Sequence, residues 1–180
     1  MASTTKSNSQ KSRSSSAKSK KYNAEVGNKE KYRSIAKKKL KNDDIVEMYR
    51  QMLFCRRFEE RCAQMYQMRK IQGFCHLYIG QEAVAVGTIA ALEDKDWIFQ
   101  TYRDHVHGLL RGITAKSVMA ELFGKSTGCS KGKGGSMHLF NAEAGMMGGN
   151  GIVGGHVPLA TGAAFKSKYN DTKQVSVCYM

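Results

Sequence analysis

Residues 97–102, Trp-Ile-Phe-Gln-Thr-Tyr, form a short apolar run that predicts a β-strand. A second apolar run, at residues 174–180, predicts another strand. Between these strands we predict two short helices, near 104–111 and 115–123. A glycine-rich loop at 124–162 and a third helix near 158–168 follow. Strands that alternate with helices in this way indicate an α/β fold.

Two further helices are predicted before the first strand. The sequence Asn42-Asp43-Asp44 can cap the first of them, and apolar residues then recur every three or four positions over roughly 25 residues, until Gly73. Gly80 precedes the second, Gln81–Leu92, which has almost no charge after Glu82. Because a helix that is apolar nearly all round is normally buried, we expect this one inside the core.

The positive charge of the chain is concentrated at its N-terminus. Residues 1–42 contain 13 of the 29 basic residues and only Glu25 and Glu30 as acidic ones, whereas residues 43–180 are almost neutral, at +3 of the total +14. Such a Ser- and Lys-rich segment has too little apolar surface to fold, so we predict a disordered tail at 1–42 and one domain at 43–180. The tail is interpreted as a solvated extension, an organelle transit peptide or an arm that binds nucleic acid or another acidic partner.

The cysteines and the hydropathy of the chain indicate in which cellular compartment the protein is expected. Five cysteines occur without a C-x-x-C pair, which favours unpaired thiols in a reducing compartment and argues against a zinc site. No apolar run reaches the roughly 18–20 residues that cross a bilayer, so no membrane role is expected. We expect a cytoplasmic protein, with the mitochondrial matrix or a plastid as the alternative.

Two glycine-rich stretches resemble nucleotide-binding loops. Residues 149–154, Gly-Asn-Gly-Ile-Val-Gly, match G-x-G-x-x-G, but Ala144–Gly148 before them is a poor strand and Asp171 lies before the next strand, both of which argue against a dinucleotide site. Residues 128–133 lack the spacing of a phosphate loop. Even so, residues 131–136 either surround an anion with backbone N–H groups and cations or form a flexible basic loop.

The histidines give a weaker signal for metal binding. His105 and His107 stand two apart after Asp104, and a helix there would turn their imidazoles about 200° apart, with no obvious third ligand. His76 and His138 are lone imidazoles, which are more often structural. The residues alone therefore indicate an α/β domain with glycine loops suited to an anionic ligand that they do not identify.

Five ordered motifs connect this sequence to a known family. They are GFCHLYIGQEA at 73–83, YRDH at 102–105, KGKGGSMH at 131–138, GGNGIVG at 148–154 and VPL at 157–159. The chain from about Asp44 to Met180 resembles the α subunits of thiamine-diphosphate-dependent 2-oxo acid dehydrogenases. The resemblance implies the N-terminal part of a thiamine-diphosphate-binding fold, a parallel sheet flanked by helices.

The same resemblance implies roles for five residues. Backbone groups of Gly151 and Val153 would hold the aminopyrimidine ring of thiamine diphosphate, Tyr102 and Arg103 would bind its diphosphate, and His76 would be the catalytic residue near the substrate carboxylate. The Mg²⁺ ligands of the family are a GDG motif and a later Asn. They are expected beyond Met180, so no metal ligand is assigned here and the chain alone is expected to be inactive and poorly folded.

The resemblance also implies a reaction and partners. The expected reaction is oxidative decarboxylation of pyruvate, with transfer of the acetyl group to the lipoyl arm of a dihydrolipoyl acyltransferase, giving acetyl-CoA and CO2 in the whole complex. A β subunit would complete an α2β2 heterotetramer and supply the activating glutamate. The alternatives are an α subunit that acts on acetoin, or a non-catalytic fragment whose basic tail binds an acidic partner; nucleic acid is not the expected partner.

Overall fold

A computed structural model describes residues 40–180 of the protein. The predicted basic tail therefore lies outside the described residues, apart from its last three. The described part contains five helices and three strands: α1 (Asn42–Gln67), α2 (Glu82–Ile89), β1 (Trp97–Thr101), α3 (His105–Leu110), α4 (Ala115–Leu122), β2 (Met146–Asn150), α5 (Val157–Tyr169) and β3 (Ser176–Cys178). This element order confirms the predicted α/β fold.

The three strands form one parallel sheet in the order β2-β1-β3. Strand β1 is central, with Ile98 opposite Met146 of β2 and opposite Val177 of β3. Parallel strands need crossover connections, and these contain α3 and α4 between β1 and β2, and α5 between β2 and β3, which lie on opposite sides of β1. The parallel sheet with flanking helices that the family resemblance implied is therefore present.

Strand β2 corrects one prediction. The segment Ala144–Gly148 is a poor strand by its sequence, yet a strand begins within it at Met146 and continues into the GNGIVG motif as far as Asn150. Ladder pairing uses only backbone groups, and Met146 also buries its side chain completely in the core, so β1 stabilises this glycine-rich segment as a strand. Strand β3 is shorter than predicted and covers only Ser176–Cys178.

The main core lies between the sheet and α1, α3 and α4. It is formed by fully buried or nearly buried side chains of these elements and their loops: Phe58, Cys62, Ile71, Ile98, Leu109, Ile113, Val118, Leu122, Leu139 and Met146. The prediction that α2 lies inside the core is wrong, because only Glu82, Ala85 and Val86 of this helix are buried. No helix among residues 40–180 is long and apolar enough to span a membrane.

Candidate functional site

Four of the five predicted site residues follow the carboxyl ends of two neighbouring strands. Thr101, the last residue of β1, pairs with Asn150, the last residue of β2. Tyr102 and Arg103 come directly after β1, and Gly151 comes directly after β2. The edge formed by the carboxyl ends of parallel strands is where α/β sheets commonly bind their ligands.

His76, Tyr102 and Arg103 form one contact cluster at this edge. The ring centroids of His76 and Tyr102 lie 4.5 Å apart, with the ring planes inclined by 52°. The Arg103 guanidinium carbon lies 5.7 Å from the Tyr102 ring centroid, and Arg103 Nη1 donates to the Leu77 carbonyl oxygen at 2.6 Å. This hydrogen bond holds the segment that carries His76 against the end of β1.

Gly151 and Val153 lie in the exposed loop that follows β2. The Asn150 side chain accepts a hydrogen bond from the Ile152 N–H at 2.9 Å, which closes a turn, and Val153 just after it is 79% exposed. A Cβ atom at Gly151 would lie 3.3 Å from His138 Cε1, so glycine permits the close approach of this ring. The structure thus places all five predicted residues at one edge, while the ring packed on Gly151 belongs to His138.

His138 adjoins the predicted loop, a contact that its sequence position does not indicate. Its Nδ1 lies 3.0 Å from the Gly149 carbonyl oxygen. A carbonyl can only accept, so Nδ1 carries the hydrogen and the side chain is fixed beside the loop. The position of His138 in KGKGGSMH gave no signal by itself, because the contact joins two segments that are 11 residues apart.

Asp104 and His105 are buried residues that hold the segment 136–139 in place through hydrogen bonds. Asp104 Oδ2 accepts the Leu139 N–H at 2.9 Å, and burial raises the pKa of this carboxyl group to about 7. His105 lies 3.0 Å from Glu59 Oε1 through Nδ1 and 2.8 Å from Ser136 Oγ through Nε2. Burial by itself would lower the pKa of His105, but the hydrogen bond and charge of Glu59 raise it overall.

The helix after Asp104 is confirmed, and it separates the two histidines as predicted. While His105 contacts Glu59 and Ser136, the ring of His107 packs 4.8 Å from that of Tyr78 and 4.3 Å from that of Tyr179. Ligand atoms of Glu59, Cys62 and His105 do lie within 4.8 Å of one another. Burial raises the pKa of the Cys62 thiol, however, which disfavours the thiolate that metal binding requires.

The glycine loop at 131–136 surrounds a carboxylate of the protein itself. Its composition predicts either N–H groups that surround an anion or a flexible loop. In the structure, the carboxylate of Glu121 accepts hydrogen bonds from four backbone N–H groups, those of Ser130, Gly132, Gly134 and Gly135. These donors are therefore already used by the protein. No motif in the sequence indicates this role for Glu121, which lies in α4.

The edge fits an anionic, partly aromatic cofactor. Among the described residues, Arg103 has an acceptor only for Nη1, so its other guanidinium N–H groups are available to a phosphate. Across the edge, Ile152 and Val153 expose apolar side chains that a flat ring can cover. One end of the site thus offers the guanidinium donors of Arg103, and the other offers an exposed apolar surface.

Comparison with known proteins identifies the family of this chain. Residues 50–180 match the family model described as "Dehydrogenase E1 component". The chain is also similar to three proteins named as pyruvate dehydrogenase E1 component α subunits. They come from Zymomonas mobilis (55% identical over 138 residues, 76% of this chain and 39% of that protein), Rickettsia conorii (49% over 146 residues, 81% and 45%) and, in a chloroplastic form, Arabidopsis thaliana (54% over 127 residues, 71% and 30%). The chain spans less than half the length of these relatives. Its predicted family is confirmed: the chain belongs to the dehydrogenase E1 component family.

Proposed function

We propose that this protein acts as the α subunit of a pyruvate dehydrogenase E1 component that uses thiamine diphosphate. The observation that carries the proposal is the cluster of His76, Tyr102 and Arg103 at the carboxyl edge of the sheet, next to the open Gly151–Val153 loop. The names of the relatives support the substrate, since all three are pyruvate dehydrogenase subunits. Acetoin remains the alternative substrate.

In this proposal Arg103 and Tyr102 bind the diphosphate. A guanidinium group presents its N–H donors in a plane that matches two phosphate oxygens, and it stays charged at any physiological pH. The hydrogen bond to Leu77 and the contact with Tyr102 already fix the orientation of Arg103, so little side-chain entropy is lost on binding. The Tyr102 hydroxyl would add a neutral donor.

The loop after β2 would hold the aminopyrimidine ring through backbone groups of Gly151 and Val153. Contact with a flat ring would cover the exposed side chain of Val153, and removing apolar surface from water favours binding. Backbone groups recognise the edge of such a ring without side-chain rearrangement. The hydrogen bond between His138 and the Gly149 carbonyl oxygen supports this function by restraining the loop.

His76 would act next to the reacting carbon of the substrate. When bound, thiamine diphosphate supplies a carbanion nucleophile and an electron sink for the loss of CO2. The His76 imidazole packs on the ring of Tyr102, which itself belongs to the proposed diphosphate site, so His76 would lie next to that site. As a cation it would pair with the carboxylate of pyruvate, and as a neutral donor it would hydrogen-bond the 2-oxo oxygen.

The partners belong to the same proposal. A β subunit would cover the carboxyl edge and exclude water, and a lipoyl-bearing dihydrolipoyl acyltransferase would take the acetyl group. Mg²⁺ would offset part of the diphosphate charge. We assign no Mg²⁺ ligand among the residues of this sequence.

A hybrid subunit tests the proposal. In the hybrid subunit, residues 44–180 replace the matching segment of the Zymomonas mobilis α subunit, and the hybrid is co-expressed with the β subunit of that organism. We expect CO2 release from pyruvate that depends on added thiamine diphosphate, with the unmodified Zymomonas enzyme as the control. A folded, β-bound hybrid that turned over acetoin or a branched 2-oxo acid in preference to pyruvate would contradict the proposed substrate, and one inactive on all three would contradict the proposed function.

A further inference from the structure

Glu121 occupies an unusual position for a carboxylate. It lies in α4, is completely buried, and accepts hydrogen bonds from four backbone N–H groups of the following loop. Its Oε2 accepts from Ser130 and Gly132, both at 2.8 Å, and its Oε1 accepts from Gly134 at 2.7 Å and Gly135 at 3.2 Å. These four donors can stabilise the charged carboxylate in place of water.

The conformation of the loop explains why its N–H groups converge. Lys131 and Gly132 are in the left-handed region, with φ of 58° and 74°. Backbone N–H groups of a turn that includes left-handed residues can point to one side and form a concave anion site, often called a nest. An L-residue such as Lys131 adopts this conformation only at a cost, and the hydrogen bonds to Glu121 offset it.

The loop in turn positions His138. Ser130, whose N–H binds Glu121, also donates through Oγ to the His138 carbonyl oxygen at 3.3 Å and accepts the Phe140 N–H at 2.9 Å. His138 then donates to the Gly149 carbonyl oxygen. A continuous series of hydrogen bonds therefore runs from Glu121 through the loop to the end of β2.

We propose that Glu121 is a positioning residue: its carboxylate fills the nest of residues 130–135 and thereby holds His138 against the loop at 149–151. The consequence for cofactor binding rests on the proposed function, whereas the anion site itself does not. Loss of the carboxylate leaves four partly buried N–H donors without their acceptor. A small carboxylate from solution can then take its place.

Chemical rescue in the hybrid subunit tests the anion site without any activity measurement. We expect Glu121→Ala to lower the melting temperature, and formate to raise it again along a saturable curve. Formamide, a neutral molecule of the same shape, should not do so. Glu93→Ala is the matched control, because the Glu93 side chain is exposed and pairs only with Lys95 among the described residues. A melting temperature of Glu121→Ala that formate and formamide change equally overturns the proposal.

Cofactor binding tests the positioning role. We expect Glu121→Ala and His138→Ala each to raise the KM for thiamine diphosphate about tenfold, and the double variant to raise it no further than His138→Ala alone. Formate should restore the KM of Glu121→Ala but not that of the double variant. Multiplicative effects of the two substitutions would show that the residues act independently and would overturn the positioning role.

A third variant covers the case in which Glu121→Ala does not fold. Glu121→Gln keeps one acceptor oxygen but turns an NH2 group toward two N–H donors, so we expect a smaller rise in the same KM and partial loss of thermal stability. An unchanged KM and melting temperature for this variant would overturn the proposal. If the unsubstituted hybrid lacks pyruvate activity, the proposed function fails, and the formate titration still decides the anion site.

Discussion

Arg56 and Glu82 form a bidentate ion pair that joins α1 to the start of α2. Arg56 Nε lies 2.6 Å from Glu82 Oε1, and Nη2 lies 3.1 Å from Oε2. The same carboxylate accepts the Gly80 N–H. The hydrogen bond from Arg56 lowers the pKa of Glu82 below its ordinary value, so the glutamate of the GQEA motif is a buried anion with a fixed partner.

Removing the arginine should therefore destabilise the protein. We expect Arg56→Met in the hybrid subunit to lower the free energy of unfolding by about 2 kcal/mol, since it leaves the Glu82 carboxylate buried without its cation. Arg50→Met is the control: its partner Glu47 is exposed, and a change within about 0.5 kcal/mol is expected. Urea unfolding at pH 7 measures both. Equal effects of the two substitutions would contradict a special role for the Arg56–Glu82 pair.

The buried imidazole of His107 predicts a pH-dependent loss of stability. Burial lowers its pKa from 6.5 to about 3, so the unfolded chain binds a proton that the folded chain does not between these values. Stability should consequently fall as the pH drops below about 6.5. Replacement by Phe keeps a ring between Tyr78 and Tyr179 and removes the titrating group. We therefore expect the change that His107→Phe makes in the free energy of unfolding to be about 2 kcal/mol more favourable at pH 5 than at pH 8.

Melting temperatures of the hybrid subunit and this variant at pH 5 and pH 8 provide the measurement for His107. The exposed His138 supplies the control, because His138→Phe changes no buried imidazole. A His107→Phe variant whose stability changed by the same amount at both pH values would refute the expectation.

Asp104 predicts the opposite pH dependence. Because burial raises its pKa from 3.8 to about 7, the folded chain holds the proton more tightly than the unfolded chain, and stability falls as the pH rises from about 4 to 7. Asparagine can still accept the Leu139 N–H. We expect Asp104→Asn to have little effect at pH 4 and to stabilise on the order of 3 kcal/mol at pH 8.

The charges of His105 and Glu59 also influence the pKa of Asp104, and both residues are kept in this variant. Unfolding curves at the two pH values test the prediction, with Asp94→Asn at an exposed position as the control. Greater stabilisation at pH 4 than at pH 8 would show that the proton is not bound at Asp104.

The guanidinium of Arg103 predicts a specific loss in cofactor affinity. Lysine keeps the charge but not the planar pair of donors, so we expect Arg103→Lys in the hybrid subunit to raise the KM for thiamine diphosphate about tenfold or more. The exposed Arg61→Lys, whose side chain binds Gln64, should leave it unchanged. Steady-state rates over a cofactor titration measure both. An unchanged KM for Arg103→Lys would remove this residue from the proposed diphosphate site.

Several features of the fold were predictable because they depend on local sequence. The spacing of apolar residues predicted α1, and the apolar runs predicted β1 and the region of β3. The sequence after Asp104 predicted the helix that separates His105 from His107. In each case the signal lies in the types of neighbouring residues, and the sequence contains this information directly.

Other features depend on contacts between distant segments. Strand β2 contains two glycines and has little strand propensity of its own, and pairing with β1 determines its conformation. The burial of α2 was overestimated because its composition does not say which neighbours cover it. The hydrogen bonds of Arg56 with Glu82 and of His105 with Glu59 join residues 26 and 46 positions apart.

The sequence by itself determined the family of this protein, its α/β architecture and the motifs that reach the carboxyl edge of the sheet. Only the tertiary structure decided that the N–H groups of the glycine loop bind Glu121 and that His138 contacts the loop after β2. The physical reason is that motifs record residue types in order, whereas a hydrogen bond needs a donor and an acceptor brought to about 3 Å by packing. Folding alone brings those groups together.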